Sequence, residues 1–374
     1  MERFILMHTG DVHLGMSGGS FGARATEHRQ LLRESFARVV DQCLAQSANL
    51  LVIAGDLFDT AQPSRNTVEF ARAQLGRLRP AEPGTEVVIL PGTHDPLTRG
   101  SVYEEWLRQG LPDYLHLLTD PKGRPVALAG GEVLVHGGPG CLHLAAEDTA
   151  PFNIGVIHAS LQLGHLVSGG EPTLSPRAIA DTRMNYLALG HWHRFGDYST
   201  GGVTALYSGS PEITAIDQAE RGQIVRVELS RGGLARCERL TVGRLRREQT
   251  EANLADYDNT HQLVEDVRRR SDPDVVLEVV LTGLADPSFH YDAAELEEAL
   301  SPDFFRVRIR DQALLAQEEI TESRYPAELI VGRFVRLMRE RIDAAREAGD
   351  EAQVQTETQA LQWGLALLER KEIV

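Results

Sequence analysis

An α/β domain, followed by a smaller α+β domain and C-terminal helices, is the architecture that this 374-residue sequence predicts. Short apolar runs of strand length alternate with helical stretches through the first half of the chain. The resulting β-α-β-α-β order places helices against the faces of a sheet. The pattern changes in the 230s and again near residue 320, and a chain of this length holds roughly two or three domains.

The elements of the first domain follow from the spacing of their apolar residues. Leu32, Phe36 and Val40 recur on one side of a helix, which predicts that this side is buried. The continuous apolar run at 50–53 has the length of a buried strand. In chain order the pattern predicts strand 4–7, helix 27–48, strand 50–53, helix 64–78 and strand 86–90, then strands 133–135, 154–157, 186–189, 203–207 and 223–229.

Two smaller parts follow the first domain. Strands at 275–281 and 304–309 flank a helix at 291–300, which predicts a small α+β unit. After Tyr325 and Pro326, a long amphipathic helix, a turn at 348–350 and a second helix are predicted. We therefore predict three domains, with bounds at 1–232, 233–320 and 321–374.

Composition and charge limit the class of protein. Hydrophobic residues make up 42% and charged residues 25% of the chain, which is typical of globular proteins. The sequence has no apolar run of ~18 or more residues, and its 3 cysteines form no disulfide framework, so we expect a cytoplasmic protein. A net charge of -16 argues against a protein that mainly grips DNA, although the local field near a site matters more than the total.

Four clusters of carboxylates and histidines each follow a predicted strand. The clusters are Asp11 with His13; Asp56 with Asp59; Thr93, His94 and Asp95; and His158 with His191 and His193. Because open α/β sheets place their sites at the carboxyl ends of the strands, these side chains converge on one crevice. Carboxylates together with imidazoles suit manganese, iron or zinc. Two such ions would clamp a phosphate and generate a hydroxide for in-line attack.

Each motif alone is weak, but the ordered set resembles the signature of calcineurin-like metallophosphoesterases. Segments 7–15, 53–59 and 207–211, the last reading Tyr-Ser-Gly-Ser-Pro, narrow the resemblance to SbcD-type DNA repair exonucleases. The resemblance is specific over residues 1–230 and only architectural beyond them. It implies a four-layer α/β/β/α metallophosphoesterase sandwich with a small α+β capping domain and C-terminal helices.

The resemblance also implies a role for each motif residue. The implied metal ligands are Asp11, His13 and His193 for the first ion, and His158 and His191 for the second, with Asp56 bridging the two. His94 would be the acid that meets the scissile phosphate or the leaving oxygen, with Asp95 or Asp59 as its orienting partner. The implied cofactors are two divalent metal ions, with manganese expected and iron or zinc as alternatives.

Thr93 departs from the family pattern, which has an asparagine whose amide oxygen binds the second metal. The threonine hydroxyl is shorter and is a weaker neutral ligand. Three interpretations follow: water fills the gap and activity survives, the second metal binds more weakly, or the site is degenerate. We expect weakened but present metal binding, because no other motif position is lost.

Partners are suggested by residues outside the metal motifs. Arg24, Arg29 and Trp192 are candidate DNA contacts, with a solvated helix face and internal packing as the alternatives. SbcD-type nucleases dock an SMC-like coiled-coil ATPase through a C-terminal helical segment, and the two predicted helices here would serve the same purpose. The alternatives are a helical hairpin or a homodimer. No membrane association is predicted.

The sequence therefore predicts a metal-dependent DNA exonuclease and endonuclease that hydrolyses phosphodiester bonds as the nuclease subunit of a DNA repair complex. One alternative is a calcineurin-like phosphoesterase that acts on a small molecule, such as a nucleotide or a pyrophosphate. A second alternative is a catalytically weakened scaffold that binds DNA ends or an ATPase. Thr93 is the main support for the scaffold.

Overall fold

The structure is a computed structural model that describes residues 2–79, 84–162, 173–216, 218–231, 235–283, 291–313, 325–326 and 328–368. The chain divides into two compact units, Met1–Arg246 and Arg247–Val374. The predicted domain boundaries after residues 232 and 320 lie outside the described residues. The first unit continues to Arg246 because a further strand, Arg236–Thr241, joins its sheet.

Two six-stranded sheets and four α-helices build the first unit. The strands are β1 (Arg3–Thr9), β2 (Leu50–Ala54), β3 (Glu86–Leu90), β4 (Leu115–Leu117), β5 (Val126–Leu128), β6 (Val133–His136), β7 (Phe152–His158), β8 (Ser160–Leu161), β9 (Thr173–Leu174), β10 (Tyr186–Gly190), β11 (Gly196–Asp197), β12 (Thr204–Tyr207), β13 (Gln223–Ser230) and β14 (Arg236–Thr241). The helices are α1 (Ala25–Ala45), α2 (Arg65–Gly76), α3 (Val102–Gln109) and α4 (Pro176–Thr182).

Parallel strands occupy the centre of each sheet, and antiparallel strands lie at its ends. The first sheet has the order β14-β13-β1-β2-β3-β4, in which β1 to β4 are parallel. The second has the order β11-β12-β10-β7-β6-β5, in which β12, β10, β7 and β6 are parallel. The central strands are continuous apolar runs, as expected for parallel sheets that are buried on both faces. The predicted α/β class is confirmed.

Alternation along β1 shows how the two sheets pack. Phe4 and Leu6 belong to a core that also contains Phe152 and Ile154 of β7, so this core lies between the sheets. Met7 points to the opposite face, where it shares a core with apolar residues of α1, α2 and α3. The outer face of the second sheet packs against α4 and a loop. Both sheets therefore present apolar side chains to two cores, as the two-residue period of a strand requires.

The apolar pattern located the buried elements but not the exposed ones. Every strand and helix predicted for the first domain is present, with ends that differ by a few residues. Helix α3 was not predicted, because it is only 8 residues long. Strand β14 was not predicted either, because it lies at a sheet edge and all but one of its side chains are exposed, so it has no apolar period.

The second unit consists of a small α+β part and a helical hairpin. Its elements are β15 (Arg246–Asn253), α5 (Thr260–Arg268), β16 (Asp272–Thr282), α6 (Ala293–Leu300), β17 (Phe304–Asp311), α7 (Ile330–Glu347) and α8 (Glu351–Leu368). The three strands form one sheet, and α5 and α6 share its apolar core. Helices α7 and α8 pack on each other through residues such as Met338, Ile342 and Leu361. Within the described residues, no helix is both long and apolar enough to cross a membrane.

His8 provides a polar contact between the two sheets. It lies on β1 and is fully buried, and its Nδ1 is 2.8 Å from the hydroxyl of Tyr186 on β10. Burial lowers the pKa of His8 to about 3, although a hydrogen bond with the Leu189 backbone opposes this effect. The imidazole is therefore neutral in the folded protein over the whole range in which an unfolded histidine takes up a proton.

The buried neutral His8 makes stability depend on pH. The unfolded chain binds a proton at this position below pH 6.5 and the folded protein does not, so the free energy of unfolding should fall as the pH falls below 6.5. His8 alone contributes a slope of up to about 1.4 kcal/mol per pH unit. Urea unfolding between pH 7.5 and pH 5 would measure it. The His8→Gln variant should show a shallower slope, and equal slopes would contradict this account.

Candidate metal centre

The motif residues follow the carboxyl ends of five parallel strands. Asp11 follows β1, Asp56 follows β2, and Thr93 follows β3 in the first sheet. In the second sheet, β7 ends at His158, and His191 follows β10. Because the strand ends of both sheets open on the same edge of the sandwich, loops that are distant in sequence meet there.

The loops after β1 and β2 hold each other through backbone hydrogen bonds. The amide of Asp11 donates to the carbonyl of Gly55, at 3.1 Å, and the amide of His13 donates to the carbonyl of Asp56, at 3.0 Å. Asp11, His13 and Asp56 all have φ near +50°, which is rare for residues with a side chain. Such a conformation persists only where the surrounding structure enforces it, and it is concentrated at functional sites.

Several of these side chains converge tightly enough to bind a cation. Three groupings have ligand atoms that lie within 4.8 Å of one another. They are Asp11, His13 and His193; His13, Asp56 and His94; and Asp11, Asp56 and His158. Asp11, His13 and Asp56 each belong to two groupings, and all three are almost fully buried. The groupings therefore form one continuous centre.

Each central histidine uses one ring nitrogen for the protein and directs the other to the centre. Nδ1 of His13 lies 3.0 Å from Oδ1 of Asp59, and Nδ1 of His158 lies 2.8 Å from the carbonyl oxygen of Ala54. Both partners are acceptors, so Nδ1 carries the hydrogen and Nε2 keeps its lone pair. Partners of this kind orient metal-binding histidines.

The facing lone pairs need a positive charge between them. Nε2 of His13 lies 3.2 Å from Nε2 of His193, and Nε2 of His158 lies 3.2 Å from Oδ2 of Asp56. Burial alone would lower the pKa of His158, but the hydrogen bond and the charge of Asp56 raise it to about 9. Two nitrogens that bind one cation at ~2.1 Å and near a right angle lie roughly 3 Å apart. The residues therefore fit a divalent metal.

Thr93 and His94 lie at the open side of this centre. The hydroxyl of Thr93 donates to Oδ2 of Asp56 at 3.3 Å and lies 3.4 Å from Nε2 of His158. The shorter side chain therefore still reaches the neighbourhood of the second predicted ion. The side chain of His94 is 51% exposed, and its ring lies edge-on to that of His13, with centroids 4.7 Å apart.

The two candidate partners of His94 differ in their surroundings. Oδ1 of Asp59 lies 3.8 Å from Nδ1 of His94. The carboxylate of Asp95 is fully buried and accepts hydrogen bonds from the Phe58 amide, the Gly92 amide and the Tyr103 hydroxyl. Among the described residues, no hydrogen bond joins Asp95 to the His94 ring. The geometry therefore favours Asp59 as the orienting partner, and Asp95 ties together the loops after β2 and β3.

His191 enters the site partly through its backbone. Its amide donates to both carboxylate oxygens of Asp11, at 3.0 and 3.1 Å, and its φ is 103°. Its ring lies next to that of His158, with centroids 5.3 Å apart. Among the described residues, His191 belongs to none of the three groupings. Its role as a ligand stays a prediction.

The candidate DNA contacts have other neighbours in the structure. Arg24 pairs with Glu27, and Arg29 donates to the carbonyl of Ser17 and to the hydroxyl of Thr26. Trp192 stacks on Tyr207 with centroids 4.8 Å apart, and it meets Tyr198 edge-on. The contacts of Trp192 thus favour the alternative of internal packing.

A threonine and a glutamine behind the centre were not identified from the sequence. The hydroxyl of Thr214 lies 2.6 Å from Nδ1 of His193, and the side chain of Gln218 contacts Thr214. Both follow the Tyr-Ser-Gly-Ser-Pro segment that contributes to the family resemblance. That proximity is the only signal for them, since neither residue type is a typical metal ligand and no spacing links them to His193.

The model of the calcineurin-like phosphoesterase family matches residues 4–195, just over half of the chain. The chain therefore belongs to this family. Membership implies metal-dependent hydrolysis of a phosphoester, in agreement with the predicted class of protein. The family binds divalent metals, and the buried aspartates and histidines described above are the donors available for them.

Curated relatives resemble the chain at low identity. A DNA double-strand break repair protein Mre11 from Methanopyrus kandleri is 28% identical over 267 residues, which cover 62% of this chain and 56% of that protein. An uncharacterized metallophosphoesterase, YhaO from Bacillus subtilis, is 25% identical over 218 residues, 54% of this chain and 50% of its own. A protein of the nuclease SbcCD from Rhodobacter capsulatus is 33% identical over 104 residues, 28% of this chain and 24% of its own.

The chain spans about half the length of the Mre11 and YhaO relatives, and about a quarter of the SbcCD relative. The relatives named Mre11 and SbcCD support the narrower resemblance to SbcD-type nucleases.

The close approach of Gly92 to Asp56 yields a test of the centre. A Cβ at Gly92 would lie 2.2 Å from Oδ1 of Asp56 and 2.4 Å from its amide nitrogen, so Gly92→Ala must displace the shared carboxylate. We expect binding of Mn²⁺ to weaken at least ~10-fold, as for other losses of ligand orientation. Isothermal titration calorimetry would measure it.

Gly19→Ala is the matched control for Gly92→Ala, because the nearest atom to its added Cβ is 4.0 Å away. Its affinity for Mn²⁺ should equal that of the native protein. Native affinity in Gly92→Ala, with the fold intact by circular dichroism, would show that Asp56 does not hold the metal.

Proposed function

We propose that this chain is a metal-dependent nuclease that hydrolyses phosphodiester bonds in DNA. The observation that carries the proposal is the group of histidines with free Nε2 atoms around the buried Asp56, below the exposed ring of His94. Divalent metals bound there supply a Lewis acid for the phosphate and a more acidic water. The names of the Mre11 and SbcCD relatives support DNA as the substrate.

The residues of the chain have separate tasks in this proposal. His94 is exposed, so it meets the scissile phosphate and donates to the leaving oxygen or to the charge that develops on the phosphoryl group. Asp59 serves two rings, because its Oδ1 lies 3.0 Å from Nδ1 of His13 and 3.8 Å from Nδ1 of His94. Thr93 contributes a hydroxyl close to Asp56 and His158, with two metal ions as the proposed number.

We also propose that the helical hairpin docks an SMC-like coiled-coil ATPase, as in the complexes of SbcD-type nucleases. Ile330 and Leu337 lie two turns apart on α7 and are 79% and 55% exposed. Trp363 and Leu367 lie one turn apart on α8 and are 44% and 65% exposed. Exposed apolar rows of this kind mark protein interaction sites. A partner with its own basic surface would also compensate for the acidic charge of this chain.

The role of His94 is tested by its removal. We expect His94→Ala to lower the rate of Mn²⁺-dependent cleavage of end-labelled duplex and single-stranded DNA by about 10²- to 10⁴-fold, because the general acid is lost. Binding of Mn²⁺ should weaken far less than cleavage does. The matched control is His116→Ala, which removes a histidine that pairs with Glu86 away from the motifs. Equal rates in both variants would refute the role of His94.

The role of Thr93 is tested by restoring the family asparagine. Thr93→Asn should bind a second Mn²⁺ more tightly and cleave DNA faster, because an amide oxygen is a stronger neutral ligand than a hydroxyl. Calorimetric stoichiometry and the same cleavage assay would measure both effects. Cleavage only by Thr93→Asn would indicate a disabled site and favour the scaffold alternative. If neither protein cleaves DNA, small phosphate esters become the substrates to test.

A further inference from the structure

A chain of buried hydrogen bonds extends from His193 away from the metal centre. Nδ1 of His193 lies 2.6 Å from Oγ1 of Thr214, and Oγ1 of Thr214 lies 3.2 Å from Oε1 of Gln218. Nε2 of Gln218 lies 2.9 Å from Oγ of Ser210. Thr214, Gln218 and Ser210 are all buried, so water does not compete for these contacts.

The orientation of the Gln218 amide is set by the backbone. The amide nitrogen of Thr214 lies 3.0 Å from Oε1 of Gln218. A backbone N–H only donates, so the side-chain atom that faces it must be the carbonyl oxygen. The NH₂ group then points to Ser210, whose hydroxyl has the carbonyl oxygen of Glu212 as its own acceptor at 2.8 Å.

The direction of the Thr214 hydroxyl follows from that orientation. Oε1 of Gln218 only accepts, so the contact of 3.2 Å between it and Oγ1 is a hydrogen bond only if Thr214 donates its single proton there. The oxygen of Thr214 is then left as an acceptor for His193. Nδ1 of His193 must therefore carry the hydrogen, and Nε2 must keep its lone pair.

We propose that Gln218 is a positioning residue that acts through the Thr214 hydroxyl to hold His193 in the Nδ1–H tautomer, with Nε2 free to bind metal. Nε2 of His193 lies 3.2 Å from Nε2 of His13, on the side of the centre. Ser210 completes the arrangement, because its amide donates to the carbonyl of His193 at 3.0 Å. This proposal rests on the metal centre of the proposed function, but the tautomer is a property of the chain itself.

The tautomer can be measured directly in the metal-free protein. ¹⁵N-labelled histidine gives different long-range proton couplings for Nδ1–H and Nε2–H rings, and the His193 signals are assigned by their loss in His193→Asn. We expect the native protein to show Nδ1–H. In Thr214→Val the acceptor is gone, and in Gln218→Met the Thr214 hydroxyl is free to turn to His193. Both variants should populate the Nε2–H form.

Metal binding supplies the second readout. Thr214→Val and Gln218→Met should bind Mn²⁺ about 10- to 100-fold more weakly, the usual effect of losing such a partner. Thr214→Ser keeps the hydroxyl and should restore both the tautomer and the affinity. The matched control is Thr182→Val, which removes another buried hydroxyl, one that donates to the carbonyl of Ile179. It should leave both readouts at native values.

The outcomes separate this proposal from the proposed function. An Nε2–H ring in the native protein overturns the proposal, and so does an Nδ1–H ring that persists in both Thr214→Val and Gln218→Met. If the tautomer changes as expected but the native protein cleaves no DNA, the positioning role is supported and the nuclease assignment fails.

Discussion

The burial of the Asp56 carboxylate is the constraint on which the rest of the site depends. A buried charge is costly unless charged or hydrogen-bonding groups surround it. Burial would raise the pKa of Asp56, but the hydrogen bond from His158 and the other neighbouring donors hold it well below the usual range. With Asp11 also buried nearby, the centre concentrates negative charge and lone pairs at one point. The arrangement is stable because positive charge, as protons or as metal ions, can occupy it.

The sandwich provides the rigidity that this constraint requires. Cores on both faces of the first sheet hold β1 and β2 in place, so the loops after them start from fixed points. Asp11, His13 and Asp56 then adopt a backbone conformation that is unfavourable in isolation. Packing supplies the stability, and the loops place the ligands. The ring partners of His13, His158 and His193 extend the same principle one layer outward.

The division into two units agrees with a division of tasks in the proposed function. The metal centre lies wholly within the first unit, which is the part that the family model covers. The second unit carries the hairpin with its exposed apolar rows, and these rows have no role in the chemistry. An acidic nuclease that obtains part of its DNA affinity from a partner would need both features, a compact site and a separate docking surface.

The sequence by itself determined the α/β class, the buried strands and the identity of the motif residues. These features are local, because apolar runs and the residues directly after them can be identified without knowing what they touch. Only the tertiary structure decided that Asp59 rather than Asp95 lies near His94, that Trp192 stacks on Tyr207, and that Thr214 holds His193. These contacts depend on how loops far apart in the chain meet, and no spacing in the sequence records that geometry.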